Sequence, residues 1–204
     1  VLNLYGPTEC SVDTSVFEID SEHIPAEEIT PLGRPLPNME VYILDASMQP
    51  VPVGVPGELC IGGVGVGRGY LNRPDLTRDK FVPHPFSADA SARMYRSGDL
   101  ARFKSDGTIE YLGRMDQQVK LRGYRIELGE IEAVLATHSS VNAGVVVLRD
   151  SVAGDKQLVA YVVVKSDRQL DFAALRTYLA KQLPEYMIPA AFVFLDALPL
   201  RSVT

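Results

Sequence analysis

The chain has 204 residues, 46% hydrophobic and 23% charged, with a formal net charge of -6. That composition supports one large or two small cores, and the acidic balance without any Lys/Arg cluster argues against a nucleic-acid or anionic-membrane partner. No apolar run approaches the roughly 20 residues that span a bilayer, the start VLNLYGPTEC is no signal peptide, and Cys10 and Cys60 with three scattered histidines form neither a disulfide framework nor a metal-ligand spacing.

Val1 to Tyr5 is a short apolar run ended by Gly6-Pro7, a sharp turn that sets Thr8 and Glu9 at the exposed end of a strand. A hydroxyl beside a carboxylate there suits a phosphate oxygen and its Mg²⁺, since hard cations take oxygen ligands; a plain capping turn explains the same pair. Ser11–Ile19 alternates and predicts a strand with one buried face, residues 20–38 read as a loop, and Met39–Leu44 and Glu58–Ile61 as two more strands. The run GGVGVGRGY at 62–70 lacks both glycine-rich phosphate-binding spacings, so its glycines are read as permitting positive φ and close packing. Asn72–Thr77 opens a helix that runs to about Phe81, with Pro74 in its first turn. Asp99 follows a glycine at a strand end, where a carboxylate suits a ribose diol, although an ordinary Gly-Asp turn has the same form. Two short strands around Ser105-Asp106-Gly107 complete a β-rich, barrel-like or sandwich layer.

The stretch Gly113–Glu132, GRMDQQVKLRGYRIELGEIE, is too charged for a core strand and reads as an exposed turn between two folded units. Beyond it, Leu128, Ile131, Val134, Leu135 and His138 fall at helical spacing over Glu127–His138. Ala143–Leu148 and Leu158–Val164 are apolar strands joined by a polar loop around Asp150–Lys156. Asp171 caps a second helix, stopped by Pro184, with Phe172, Leu175, Tyr178, Leu179 and Leu183 inward, and Ala191–Leu195 is a last strand. The pattern predicts an α+β protein of two parts, 1–115 and 116–204, the second a small sheet with helices on one face.

Five stretches in this order, NLYGPTE, GELCIGGVGVGRGYLNRPDLT, YRSGDL, GRMDQQVKLRGYRIELGEIE and LPEYMIP, resemble the adenylate-forming enzymes, specifically an amino-acid adenylation domain of a non-ribosomal peptide synthetase. The resemblance implies the β-rich end of a large nucleotide-binding domain followed by a small mobile C-terminal lid. It implies Tyr5 against the adenine, Thr8 at the α-phosphate, Glu9 on Mg²⁺, Asp99 on the ribose hydroxyls and Arg114 on the nucleotide. Asp116 falls at the family's hinge, and Gly123 and Arg125 in the loop that meets the phosphopantetheine arm. ATP, Mg²⁺ and a carrier-borne phosphopantetheine are the implied cofactors. An amino acid, a peptidyl carrier protein and condensation domains are the implied partners. Leu4, Val12 and Asp13 match three positions lining the side-chain pocket, and a carboxylate beside two aliphatics suits a small hydroxyl-bearing substrate, serine.

Two departures stand out. The family's phosphate loop would precede residue 1, and its Asn-Gly-Lys after Leu-Pro-Leu is replaced by Arg201-Ser202-Val203-Thr204. With no initiator Met and a start in mid-pattern, the chain is expected to be a piece of a longer cytoplasmic protein, inactive alone. A stand-alone acyl-CoA or aryl-acid ligase, and a non-catalytic interaction module, are the other readings of the same fold.

Overall fold

The computed structural model describes residues 1–20, 30–151, 154–165 and 170–199. The readings of 21–29 and of the Arg201–Thr204 tail lie outside them. The backbone falls into two compact units, Val1–Asp116 and Gln117–Thr204. The described residues mix α and β and are strand-rich.

The first unit begins with a small antiparallel sheet of β1 (Leu2–Tyr5), β2 (Ser15–Glu18) and β3 (Arg34–Pro35). β2 is shorter than the alternation of Ser11–Ile19 predicts, because Ser11 and Val12 have φ of 62° and 75° and turn the chain back. Val12 N–H donates to Pro7 O at 3.2 Å and Thr14 N–H to Tyr5 O at 2.8 Å, closing the turn. Gly6 is required there: a Cβ would lie 2.2 Å from Val12 O. The predicted loop also contains a strand, since Arg34 and Pro35 pair with Val16 and Ser15.

A second sheet holds β4 (Met39–Leu44), β5 (Gly57–Gly63), β6 (Phe81–Pro83), β7 (Arg93–Phe103) and β8 (Ile109–Arg114). The long β7 takes β5 antiparallel along one part and pairs with β6 and then β8 along successive parts. β5 is apolar on both faces: Leu59 and Ile61 join one core with Ile43, Tyr95 and Ile109, while Cys60 packs with Leu44 and Met94. The helix α1 (Pro74–Lys80) starts on proline, whose fixed φ and missing N–H suit a first turn.

In the second unit, the charged stretch is a hairpin rather than a plain turn. β9 (Gln118–Leu121) pairs with β10 (Tyr124–Glu127) across Arg122 and Gly123, whose φ of 51° and 82° match the twist of a two-residue hairpin. Alternation explains how so many charges fit. Val119 and Ile126 are directly paired and, with Leu121, face the core, while Lys120 and Arg125 are paired on the other side. Then follow α2 (Leu128–Ala136), β11 (Val141–Asp150), β12 (Lys156–Val164), α3 (Phe172–Ala180) and β13 (Ala191–Leu195). β12 is central, antiparallel to β11 and parallel to β13. Its residues Leu158, Ala160 and Val162 share one core with Ile131 and Leu135 of α2 and Leu175 and Leu179 of α3. Asp171 accepts from Ala174 N–H at 2.7 Å, capping α3 as expected. Phe172, by contrast, is largely exposed. No helix among the described residues is long and apolar enough to cross a membrane.

Leu135 is fully buried at the centre of this core. Leu135→Ala is expected to cost about 2–5 kcal/mol, measured by denaturant unfolding, because the surroundings collapse only partly into the space left. A loss below about 1 kcal/mol would show that this core is not close-packed.

Candidate functional site

Asp99 lies inside β7, not at its end. Gly98, with φ of 74°, kinks the strand, and the register slips on both sides, between Glu58 and Cys60 and between Leu100 and Ala101. Such bulges re-aim side chains, and here the kink turns Ser97 and Asp99 to new uses. Ser97 Oγ donates to Leu59 O at 2.6 Å and accepts from Asp99 N–H at 3.0 Å, which fixes the backbone of the bulge.

Three other segments converge on the Asp99 carboxylate. Tyr5, at the end of β1, donates its phenol to Oδ2. Arg114, opposite Asp99 in the ladder, donates from Nη1 to Oδ1 at 2.9 Å. The same guanidinium grips Asp116, with Nε to Oδ1 at 2.6 Å and Nη2 to Oδ2 at 2.5 Å, and Nη2 also reaches Ser97 O at 3.1 Å. Lys80 Nζ, at the end of α1, stands 4.0 Å from Asp116 Oδ2. Gly98 makes room for this: a Cβ would lie 2.7 Å from Asp116 Oδ2 and 2.9 Å from Arg114 Nη2.

The charges of the cluster balance, two carboxylates against two cations. Burial pushes the Tyr5 phenol upward, and the adjacent Asp99 charge pushes it further, so it remains a donor. Burial alone would lower the pKa of Arg114, but its hydrogen bonds to Asp116 and the charges of Asp99 and Asp116 outweigh that and raise it. Asp99 is only 7% exposed, yet each of its oxygens has a lone pair beyond the one used by Tyr5 or Arg114.

Thr8 and Glu9 sit in a single 3₁₀ turn, Thr8–Cys10. Thr8 is exposed and Glu9 half-buried. The glycine-rich run begins between strands, where Gly62 and Gly63 of β5 pair with Glu40 and Met39 of β4, and its later part packs on this turn. Gly67 N–H donates to Glu9 O at 2.8 Å, and Ser11 Oγ donates to Gly65 O at 3.0 Å. Tyr70 then donates its phenol to Glu9 Oε1 at 2.6 Å. Burial and this bond push the Tyr70 hydroxyl well up. Cys10, buried in the same turn, has its thiol pushed up to about 12 by burial and then by the Glu9 charge, so it is no nucleophile.

Leu4, beside Tyr5 on β1, and Val12 and Asp13, on the turn that returns to Tyr5, are all exposed. A β-branched residue at positive φ is strained by about 1–3 kcal/mol, and Val12 is such a residue. In the second unit, Gly123 is at the tip of the β9–β10 hairpin and Arg125 on its exposed face. Tyr124 stacks on Tyr186 with centroids 4.1 Å apart and planes at 4°, pinning that tip to the LPEYMIP segment beside a cleft of about 520 Å³.

Tyr70, Lys80 and Ser97 escaped the sequence reading. Tyr70 and Glu9 are 61 positions apart, and no spacing rule links them. Among the described residues no group of three or more His, Cys, Asp or Glu could enclose a metal ion.

Residues 1–71 match the family described as AMP-binding enzyme, and residues 130–203 that described as AMP-binding enzyme C-terminal domain. The chain is 54% identical over 202 residues to tyrocidine synthase 3 of Brevibacillus parabrevis and 53% identical over 202 residues to malpibaldin synthetase of Mortierella alpina. Each alignment covers 99% of the chain, but only 3% of the first relative and 4% of the second. Among solved structures, IdnL1 superposes with a TM-score of 0.86 at 32% identity, over 97% of this chain and 40% of that one. NpsA-ThdA, an artificially fused adenylation–PCP di-domain NRPS from Klebsiella oxytoca, superposes at 0.71 with 33% identity, over 94% and 35%.

The pairing makes its own prediction. Arg114→Ala should cost about 1.5–3 kcal/mol in denaturant unfolding, the range for hydrogen bonds to charged groups, because the pair is only partly buried and Asp99 keeps Tyr5. Arg114→Lys should recover only part, since an ammonium cannot fork to two carboxylates. Full recovery by lysine would mean that charge alone matters.

Proposed function

The chain belongs to the AMP-binding enzyme family, and from that premise we propose that it supplies the nucleotide-facing and mobile parts of an amino-acid adenylation domain in a non-ribosomal peptide synthetase. Its reaction is ATP-dependent ligation in two steps. A carboxylate oxygen of the amino acid bonds to the α-phosphorus of ATP as the bond to the bridging oxygen breaks, and pyrophosphate leaves. A phosphopantetheine thiolate on a carrier protein then attacks the acyl carbon, and AMP leaves. Similarity to PA1221, an NRPS protein containing adenylation and PCP domains that superposes with a TM-score of 0.79 at 32% identity, favours this reading over a CoA ligase.

The observation that carries the proposal is Asp99, paired with Arg114 and oriented by Tyr5 with lone pairs left for a ribose diol. Tyr5 offers its ring to the adenine, Arg114 adds positive charge near the nucleotide, and the exposed Thr8 hydroxyl reaches for the α-phosphate. Glu9 fits Mg²⁺ by the chemistry of its donor set: a hard cation that keeps phosphates and waters needs one carboxylate rather than an enclosing cage. When bound, Mg²⁺ neutralises charge on the departing pyrophosphate. Leu4, Val12 and Asp13 contribute to the side-chain pocket. Asp13 accepts a hydrogen bond from a substrate hydroxyl, which makes serine the proposed amino acid.

Asp116 is the proposed hinge. It ends the first unit, in a bend between β8 and β9, and its carboxylate is held by Arg114. A swing there breaks that grip and exchanges one set of residues over the acyl-adenylate for another. Gly123 and Arg125 at the hairpin then meet the phosphopantetheine arm. Carrier and condensation domains are the implied neighbours.

Pyrophosphate exchange by a full adenylation domain containing this chain is expected to prefer serine across an amino-acid panel, and no preference for serine would refute that assignment. In the same assay Asp99→Ala should raise the KM for ATP at least about tenfold, a loss of some 1.4 kcal/mol, and leave that for the amino acid unchanged. An unaltered KM for ATP would remove Asp99 from the nucleotide site. Asp116→Pro restricts rotation at the bend without removing a proposed substrate ligand, so it should spare one half-reaction more than the other. Equal loss of adenylation and thioester formation would count against the hinge.

A further inference from the structure

We infer that Tyr70 is a positioning residue for Glu9, holding the carboxylate in the one orientation from which it can take a divalent cation. The inference rests on the assignment of Glu9 to Mg²⁺ made above. Glu9 has three side-chain torsions and projects from a one-turn 3₁₀ segment that has no side-chain cap. Ordering such a side chain costs about 1–2 kcal/mol of rotamer freedom, and the short turn does little to lock it.

The segment from Gly67 to Tyr70 restrains the residue at both ends. Gly67 N–H binds the Glu9 backbone oxygen at 2.8 Å, and the Tyr70 phenol binds Oε1 at 2.6 Å. Tyr70 is itself held by two elements. Its backbone N–H donates to Thr77 Oγ1 in α1 at 2.9 Å, and its ring meets Phe81 of β6 edge-on with centroids 5.4 Å apart. The fully buried Tyr95 brings its hydroxyl to 3.4 Å from that of Tyr70. A phenol fixed by helix, strand and core therefore aims one O–H at one carboxylate oxygen.

That geometry has a chemical consequence. Mg²⁺ demands near-octahedral ligands at short distance and tolerates misorientation poorly. A charge-assisted bond at Oε1 uses one lone pair and stops the carboxylate from rotating. Outer partners of metal ligands typically change metal affinity or activity by about 10–100-fold when removed. Tyr70 is then to Glu9 what a carboxylate is to a metal-bound histidine, a group that never touches the ion and sets how it is held.

The test uses Tyr70→Phe in a full adenylation domain containing this chain. The variant deletes one oxygen and keeps the ring on Phe81. Mn²⁺ binding in the presence of a non-hydrolysable ATP analogue, followed by electron paramagnetic resonance, should weaken about tenfold. The Mg²⁺ concentration for half-maximal pyrophosphate exchange should rise in parallel, with the amino-acid KM unchanged. Mn²⁺ affinity within twofold of the parent overturns the inference, whatever happens to the rate, because a merely structural tyrosine would not move it. Glu9→Gln separates the two layers. If it weakens Mn²⁺ while Tyr70→Phe does not, only the role of Tyr70 falls. If neither variant weakens Mn²⁺, the assignment of Glu9 falls and takes this inference with it.

Discussion

The guanidinium of Arg114 ties together the strand kink at Gly98, the carboxylate of Asp99 and the carboxylate of Asp116 at the end of the first unit. Lysine could supply the charge but not the fork, and an apolar residue would leave Asp99 ionised among buried groups with only Tyr5 as a partner. The rest of the site depends on this because Asp99 is useful to a diol only while it is both charged and fixed. Tyr5 then links the first small sheet to the bulge, so that the turn bearing Thr8 and Glu9 starts from an anchored strand end.

Two backbone features make this geometry possible, and each costs something locally. The positive φ of Gly98 breaks the regular ladder of β7 and opens space that a Cβ would fill. Val12 is strained at a position proposed to line the substrate pocket, and the compact turn closed by Thr14 on Tyr5 holds it there. Strain of this kind persists where surrounding structure over-determines the conformation. Here the determinant is the close approach of Gly6 to the Val12 carbonyl, which no larger residue permits.

The charged stretch after Gly113 shows how a sequence can be read in outline and misread in detail. Its charge density marks exposure at Lys120, Arg122, Arg125, Glu127 and Glu130 but not at Arg114 or Asp116, and the apolar alternation of Val119, Leu121 and Ile126 makes it a hairpin seated on the second core. Charge counts average over the two faces of a strand, and only pairing reveals that the faces differ. The glycine-rich run was legible as a place that needs positive φ, which Gly63 and Gly69 adopt. Its partner, the turn at Glu9, was not, because Gly67 and Tyr70 reach it across about sixty positions of chain through contacts that have no period.

What the sequence determined by itself was local and ordered: the apolar strands, the Asp171 cap, the turns at Gly6-Pro7 and Asp106-Gly107, and the succession of motifs that marks the family. These follow from backbone sterics and side-chain periodicity, which act over a few residues. Tertiary structure alone decided which charges meet. Arg114 selects Asp99 and Asp116 because a bulge in β7 turns one toward it and the bend after β8 returns the other. Tyr70 finds Glu9 because α1 holds its backbone and Phe81 packs against its ring. Hydrogen bonds between distant side chains depend on distances of tenths of an ångström, which composition and spacing do not encode.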